Sequence, residues 1–196
     1  LCSIVLVTAV SAVLLSRLLV HQMLHRDAEV TMAFVQSLTR SAGAERYFQE
    51  PASAPDARRL EEFFERITTM PDVLRANVYA RDRTIIWSSN RAILGKRFDF
   101  NPELDAALAG QLKIEADILE HRGYMKPEHV FASSLSSDFV ENYIPVWDEQ
   151  KKNVIGVVEV YKEPRALYHT LRQSMKLIWL CALLGGVFLF GVLFWV

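Results

Sequence analysis

The sequence has few cysteines, little net charge and no recognisable catalytic motif. Its two cysteines, Cys2 and Cys181, lie in the two most apolar runs, so the polar segment between those runs holds no thiol and no disulfide framework. The net charge is −1, which excludes a strongly basic surface of the kind that recruits nucleic acid. Residues 21–176 lack a nucleophile elbow, a phosphate-binding glycine loop, a zinc-peptidase motif and a kinase signature. We therefore expect no nucleic-acid partner, no catalytic site and no cofactor.

Charge is also nearly absent from both ends of the chain. Residues 1–20 carry one charged side chain, Arg17, and residues 177–196 carry none. Roughly 20 apolar residues are needed to cross the hydrocarbon core as a helix, so we predict transmembrane helices at 1–20 and 177–196. A cleaved signal peptide is the alternative for the first run, but no small-x-small cleavage site follows before Gln22. Because the chain opens with Leu1 and stops within an apolar run, we expect a fragment of a longer protein.

The polar segment, residues 21–176, holds nearly all of the charge. It contains 21 of the 22 basic residues and all 23 acidic residues, which gives it a net charge of −2. Its length suits one domain with its own core. A single globular segment between two membrane spans is typical of a receptor, so we expect a multi-pass membrane protein with this domain in the periplasm or outside the cell.

Helical periodicity dominates the first part of this segment. An apolar stripe formed by Met23, Val30, Phe34 and Leu38 predicts that the first helix continues out of the membrane to about Tyr47, and that this face forms a parallel homodimer. A second helix is predicted from about Asp56, with apolar residues Leu60, Phe63, Phe64 and Ile67, ending before Pro71.

Alternation then predicts strands. Residues 74–80 alternate, Arg81, Asp82 and Arg83 form a turn, and residues 84–88 return with Ile85 and Trp87 on one face. Asn101 and Pro102 mark the start of a short helix that stops at Gly110. Further strands are predicted at 112–118, 139–147 and 154–161, before a helix that runs from Arg165 into the second span. The economical fold is α+β, an antiparallel sheet with helices packed on one side.

Five segments resemble the extracytoplasmic PAS-like sensor domains, of the Cache or PDC type, of bacterial receptors such as sensor histidine kinases. They are residues 78–89 (VYARDRTIIWSS), 93–98 (ILGKRF), 101–110 (NPELDAALAG), 143–146 (YIPV) and 154–164 (VIGVVEVYKEP). The resemblance implies a PAS-like antiparallel sheet with a long N-terminal helix, dimerisation through that helix, a small molecule bound against the sheet, signal transfer through the exit helix, and location in the bacterial inner membrane.

Two sets of residues are candidates for ligand binding. The long loop between residues 119 and 138 carries Arg122, Tyr124, Lys126 and His129, which could hold a carboxylate or another anion. The sheet carries Arg75, Asn77 and Tyr79 on one face of its first strand and Asn142 with Tyr143 in a later strand. The sheet residues line a pocket if that face is covered, and they are ordinary surface residues if it is open to water.

The loop between residues 119 and 138 gives little support for a catalytic triad or a metal site. A triad built from His129, Asp138 and the nearby serines lacks elbow glycines, and the pairs Glu120–His121 and Glu128–His129 are better explained as solvated charge than as metal ligands. We therefore expect the input module of a transmembrane receptor, a sensor histidine kinase in the first instance, whose output domain lies outside this fragment. A chemoreceptor, a diguanylate cyclase and a membrane-anchored protein-interaction domain remain the alternatives.

Overall fold

The computed structural model describes residues 2–41, 43, 47–48, 54–98, 100–116, 139–163 and 165–195. The chain divides into two compact units, one formed by Leu1–Arg26 with Arg165–Val196 and the other by Asp27–Pro164. Among the described residues, no helix meets the combined length and hydropathy that define a membrane span.

Two long helices supply the first unit. Helix α1, Cys2–Ser41, begins in this unit and ends in the second, and the last helix, Arg165–Trp195, lies in the first unit throughout. Both helices expose large apolar side chains in this unit, for example Leu14 at 57% and Phe188 at 70%. Apolar side chains of both helices therefore remain accessible in this unit.

The second unit is an α+β domain. Helix α2 covers Ala54–Thr68, and a 3₁₀ turn at Arg91–Ile93 precedes helix α3 at Pro102–Leu108. The strands are β1 Val73–Ala80, β2 Ile85–Ser88, β3 Lys113–Ala116, β4 Val140–Trp147 and β5 Val154–Lys162. The helix from Arg165 to Trp195 is α4.

In the described part of the chain, these five strands form one antiparallel sheet in the order β2-β1-β5-β4-β3. The last strand, β5, lies at the centre, between β1 and β4. This confirms an α+β fold with an antiparallel sheet and a long N-terminal helix. Because β1 and β5 are neighbours in the sheet, strands from the start and the end of the domain sequence lie side by side.

Helices cover both faces of the sheet. On one face, Val35 of α1 and Phe64 and Ile67 of α2 pack in a core with Val78 and Val160. On the other face, Leu104 and Ala107 of α3 pack with Tyr79, Tyr143 and Val157. The expectation of helices on one side only is therefore wrong. Of the two alternatives for the polar side of β1, covered or open to water, the structure has the covered one, and both faces of this strand are buried.

A bulge corrects a second expectation, that Ile85 and Trp87 share one face of β2. The pairing runs Val78 to Trp87 but Tyr79 to Ile85, so Ile86 is an extra residue opposite β1. Because one inserted residue reverses the alternation, Ile85 packs with Tyr79 and Trp87 packs with Phe64 in the opposite core.

Helix α3 is held at both ends as the sequence predicted. The side-chain oxygen of Asn101 accepts a 2.8 Å hydrogen bond from the backbone N–H of Leu104, and Pro102 takes the first helical position. After the helix, Gly110 has a φ of +91°, and a Cβ there would lie 2.6 Å from the ring of Trp147. Both features fix α3 over the second face of the sheet.

Candidate functional site

Polar side chains line the sheet face that α3 covers. Arg75, Asn77 and Tyr79 project from alternate positions of β1 and are 5%, 0% and 0% exposed. Asn77 lies opposite Glu159 of β5, which in turn lies opposite Tyr143 of β4. This face of the sheet is therefore buried and not open to water. We call Arg75, Asn77, Tyr79, Glu141, Tyr143, Glu159 and Tyr161 the polar face.

The carboxylate of Glu159 is the centre of the polar face. Its Oε2 accepts hydrogen bonds from the side-chain amide of Asn77 at 2.6 Å and from the hydroxyl of Tyr79 at 2.8 Å. Its Oε1 accepts from the hydroxyl of Tyr161 at 2.7 Å. Three donors to a fully buried carboxylate offset much of the desolvation cost of an ionised group.

A second buried carboxylate lies on β4. The hydroxyl of Tyr143 donates to Oε2 of Glu141 at 2.8 Å and accepts from the side-chain amide of Asn101 at 3.2 Å. Asn101 also caps α3, so the residue that begins the covering helix is hydrogen-bonded into the polar face. Asn101 and Tyr143 thereby connect the start of α3 to Glu141 of β4.

Arg75 is the unusual member of this set. Its Nε donates to Oδ1 of Asn77 at 3.3 Å, and its guanidinium carbon lies 5.6 Å from the ring centroid of Tyr161. Its two terminal nitrogens, Nη1 and Nη2, are buried and have no hydrogen-bond partner among the residues that the structure describes. An arginine keeps its charge at any physiological pH, and leaving buried donors to an ion unpaired costs free energy. Two parallel N–H groups are the fork that matches a carboxylate.

Burial and neighbouring carboxylates keep the hydroxyls of Tyr143 and Tyr161 neutral by raising their pKa. Burial raises the pKa of Tyr143 well above its ordinary value of 10.0, and the charges of Glu159 and Glu141 add to the effect. Burial likewise raises the pKa of Tyr161, with the same two carboxylates contributing. These hydroxyls are therefore permanent hydrogen-bond donors and acceptors near neutral pH.

The structure brings together four of the predicted site residues, namely Arg75, Asn77, Tyr79 and Tyr143. It does not bring Asn142 to them, because neighbours in a strand point to opposite faces. Asn142 is buried on the other face of the sheet, where both polar atoms of its amide lack a hydrogen-bond partner among the described residues. Arg122, Tyr124, Lys126 and His129 lie outside the described residues, as do the serines and acidic residues of the same loop.

Sequence reasoning missed Glu141, Glu159, Tyr161, Ser88 and Asn101 as members or supports of this site. A signal for Glu159 was present, since it is the one charged residue in the otherwise apolar run 154–161. A lone charge in the middle of such a strand must be paired or hydrogen-bonded once it is buried. Ser88 gave no comparable signal, although its hydroxyl donates to Oδ1 of Asn77 at 2.7 Å.

Searches against protein-family models and against curated protein sequences found no match. Among solved structures, the chain is similar to the sensor domain of DcuS from E. coli, with 17% identity and a TM-score of 0.47 over 81% of this chain and 98% of that one. It is also similar to the sensor domain of the histidine kinase DctB from V. cholerae, with 15% identity and a TM-score of 0.49 over 76% of this chain. A third similar structure, the extracellular domain of rpHK1S-Z16, has 12% identity and a TM-score of 0.46 over 81% of this chain.

This chain spans 58% of the DctB and rpHK1S-Z16 structures. Similarity at this level concerns the course of the chain and says nothing about a ligand. These three structures are described as sensor or extracellular domains.

Proposed function

We propose that this chain is the signal-sensing input module of a bacterial transmembrane receptor, in the first instance a sensor histidine kinase. In this proposal the second unit, Asp27–Pro164, lies outside the cytoplasm and binds a small ligand on the polar face. The change that binding causes is then relayed through the membrane. The ligand itself is anionic at one end, and Arg75 takes its carboxylate.

One observation carries the proposal, namely the guanidinium of Arg75. It is 5% exposed, it is held at Nε by Asn77, and its Nη1 and Nη2 have no partner in the described part of the chain. A residue whose only role was to balance Glu159 would make a direct ion pair with it, and no ion pair joins Arg75 to Glu159 in the described residues. Buried N–H donors that are fixed in orientation, such as those of Arg75, are typical of a ligand-binding site.

Membrane spans at 1–20 and 177–196 belong to the proposal. Their support is the near absence of charge in both runs and a length close to the roughly 20 residues that a spanning helix needs. The apolar side chains that α1 and α4 expose in the first unit are consistent with lipid contact. The histidine kinase output is supported only by the resemblance, and it is tested by the gene sequence beyond Val196.

Thermal unfolding of the full chain in detergent micelles tests the ligand proposal. Small metabolites are screened for those that raise the melting temperature, because a ligand that prefers the folded state stabilises it. We expect at least one carboxylate-bearing compound to do so, and we expect Arg75→Met to abolish the shift. Arg81→Met is the matched control, since it removes the same charge from an exposed turn.

Equal shifts in the wild type and in Arg75→Met would show that the ligand binds elsewhere. If no compound shifts the melting temperature and a periplasmic protein binds instead, the protein-interaction alternative replaces the proposal.

A further inference from the structure

The buried charges of the second unit are unequal in sign. Among the described residues, the buried charged side chains are Arg75, Glu141 and Glu159, and all three lie on the polar face. A ligand that brought only negative charge would add to an existing excess of carboxylates. A ligand that brought only positive charge would leave the terminal nitrogens of Arg75 without a partner.

Asn77 keeps the two signs apart. Its Oδ1 accepts from Nε of Arg75 at 3.3 Å and from the hydroxyl of Ser88 at 2.7 Å, while its Nδ2 donates to Glu159 at 2.6 Å. The amide is therefore fixed with its oxygen toward the cation and its nitrogen toward the carboxylate. The guanidinium and the carboxylate remain two separate poles, one amide apart.

We propose that the polar face binds a small zwitterion, an α-amino acid or a close relative, with its carboxylate on Nη1 and Nη2 of Arg75 and its cationic group beside Glu159. This inference rests on the proposed function and names the class of ligand. A zwitterion satisfies the open fork of Arg75 and adds no net charge to the buried face. An ionised carboxylate has about four acceptor positions, and Glu159 uses three of them for Asn77, Tyr79 and Tyr161.

The same argument disfavours dicarboxylates. Their second carboxylate would be buried near Glu159 without a described cation to receive it, and like charges repel strongly where water is excluded. We expect a preference for the zwitterion over a dicarboxylate of similar size of at least about tenfold in affinity.

The experiment measures affinities of the common amino acids for the full chain in detergent micelles, by thermal shift and by calorimetry. For the amino acid that binds most tightly, three matched probes follow: its decarboxylated amine, its deaminated acid, and a dicarboxylate of the same length. For alanine these are ethylamine, propionate and malonate. Each probe should bind at least about tenfold more weakly than the amino acid, and Arg75→Met should abolish binding of the amino acid.

Glu159→Gln tests the cationic pole. The glutamine oxygen can still accept from Asn77 and Tyr79, and the hydroxyl of Tyr161 can turn to accept from the glutamine NH2, so the hydrogen bonds are preserved. We expect this variant to lose most of the preference for the amino acid over its deaminated acid. If the variant fails to fold, the comparison of probes in the wild type decides the matter.

A deaminated acid or a dicarboxylate that binds as tightly as the amino acid, and needs Arg75, would overturn the zwitterion inference while leaving the proposed function intact. If no compound of any charge class binds in a manner that depends on Arg75, both proposals fail.

Discussion

The ammonium group of Lys162 donates to both carboxylate oxygens of Asp27, at 2.8 and 2.7 Å, and lies 3.4 Å from the hydroxyl of Thr31. Lys162 ends β5, and Asp27 and Thr31 lie on α1. The contact therefore ties the last strand of the domain to its first helix. These are the two segments through which the chain enters and leaves the second unit.

A double-mutant cycle of Asp27→Asn and Lys162→Met should give a coupling energy of about 0.5–1 kcal/mol in chemical unfolding of the full chain. The value is modest because the Asp27 side chain is 47% exposed, although Lys162 is only 12% exposed. The pair Arg91 and Glu61, whose side chains are 82% and 43% exposed, is the control and should show less coupling. Equal coupling in the two pairs would contradict a structural role for the contact with α1.

Asn101→Ala should lower the free energy of unfolding by about 1–2 kcal/mol, because it removes the cap of α3 and a donor to Tyr143. Asn90→Ala is the control, since the side-chain oxygen of Asn90 caps the 3₁₀ turn by accepting from the N–H of Ala92. Asn101→Ala should also weaken ligand binding, whereas Asn90→Ala should not. A larger loss from Asn90→Ala would mean that α3 is not anchored through its cap.

Stability should fall in alkaline solution. The folded state holds the pKa of Tyr143 and Tyr161 above 10.0, whereas the unfolded chain releases these protons near the ordinary value. The stability is thus fully present below pH 10 and is lost as the pH rises above 10, by about 1.4 kcal/mol per pH unit for each tyrosine. Denaturant unfolding between pH 8 and 11 measures this slope, which Tyr161→Phe and Tyr143→Phe should each reduce by one proton. Identical slopes in the wild type and both variants would contradict the prediction.

The predicted homodimer can be tested on α1. Val35 of this helix packs against the sheet, while Val30 and Phe34 remain 64% and 39% exposed. Leu38, a fourth member of the predicted stripe, packs partly against the core. In a chain with Cys2 and Cys181 replaced, Phe34→Cys should crosslink between copies in membranes. Gln36→Cys is the control on another side of the helix, and stronger crosslinking there would contradict the predicted face.

Local chemistry made much of the fold predictable. The start and the end of α3 are predicted by Asn101, Pro102 and Gly110. Alternation in β1 predicts the strand and correctly places Arg75, Asn77 and Tyr79 on one face. These features depend on a few neighbouring residues, so one sequence contains them in full.

Other features depend on residues that are distant in sequence. Nothing near β2 announces the extra residue Ile86, because the bulge is defined by its pairing with β1. Whether the polar side of β1 faces water or a helix is decided by the docking of α3, and the partner of Asn77, Glu159, lies 82 residues away. The open fork of Arg75 follows from that three-dimensional arrangement and has no sequence signature.

That separation of 82 residues also sets an order of events during synthesis. A ribosome that adds about 5–20 residues per second makes β1 roughly 4–16 s before it makes the middle of β5. Until then the hairpin of β1 and β2 has no central strand to join, and Asn77 and Tyr79 have no carboxylate to bind. The domain can close only after its last strand has been made, so premature truncation anywhere before residue 154 should yield a chain that chaperones and proteases recognise as unfolded.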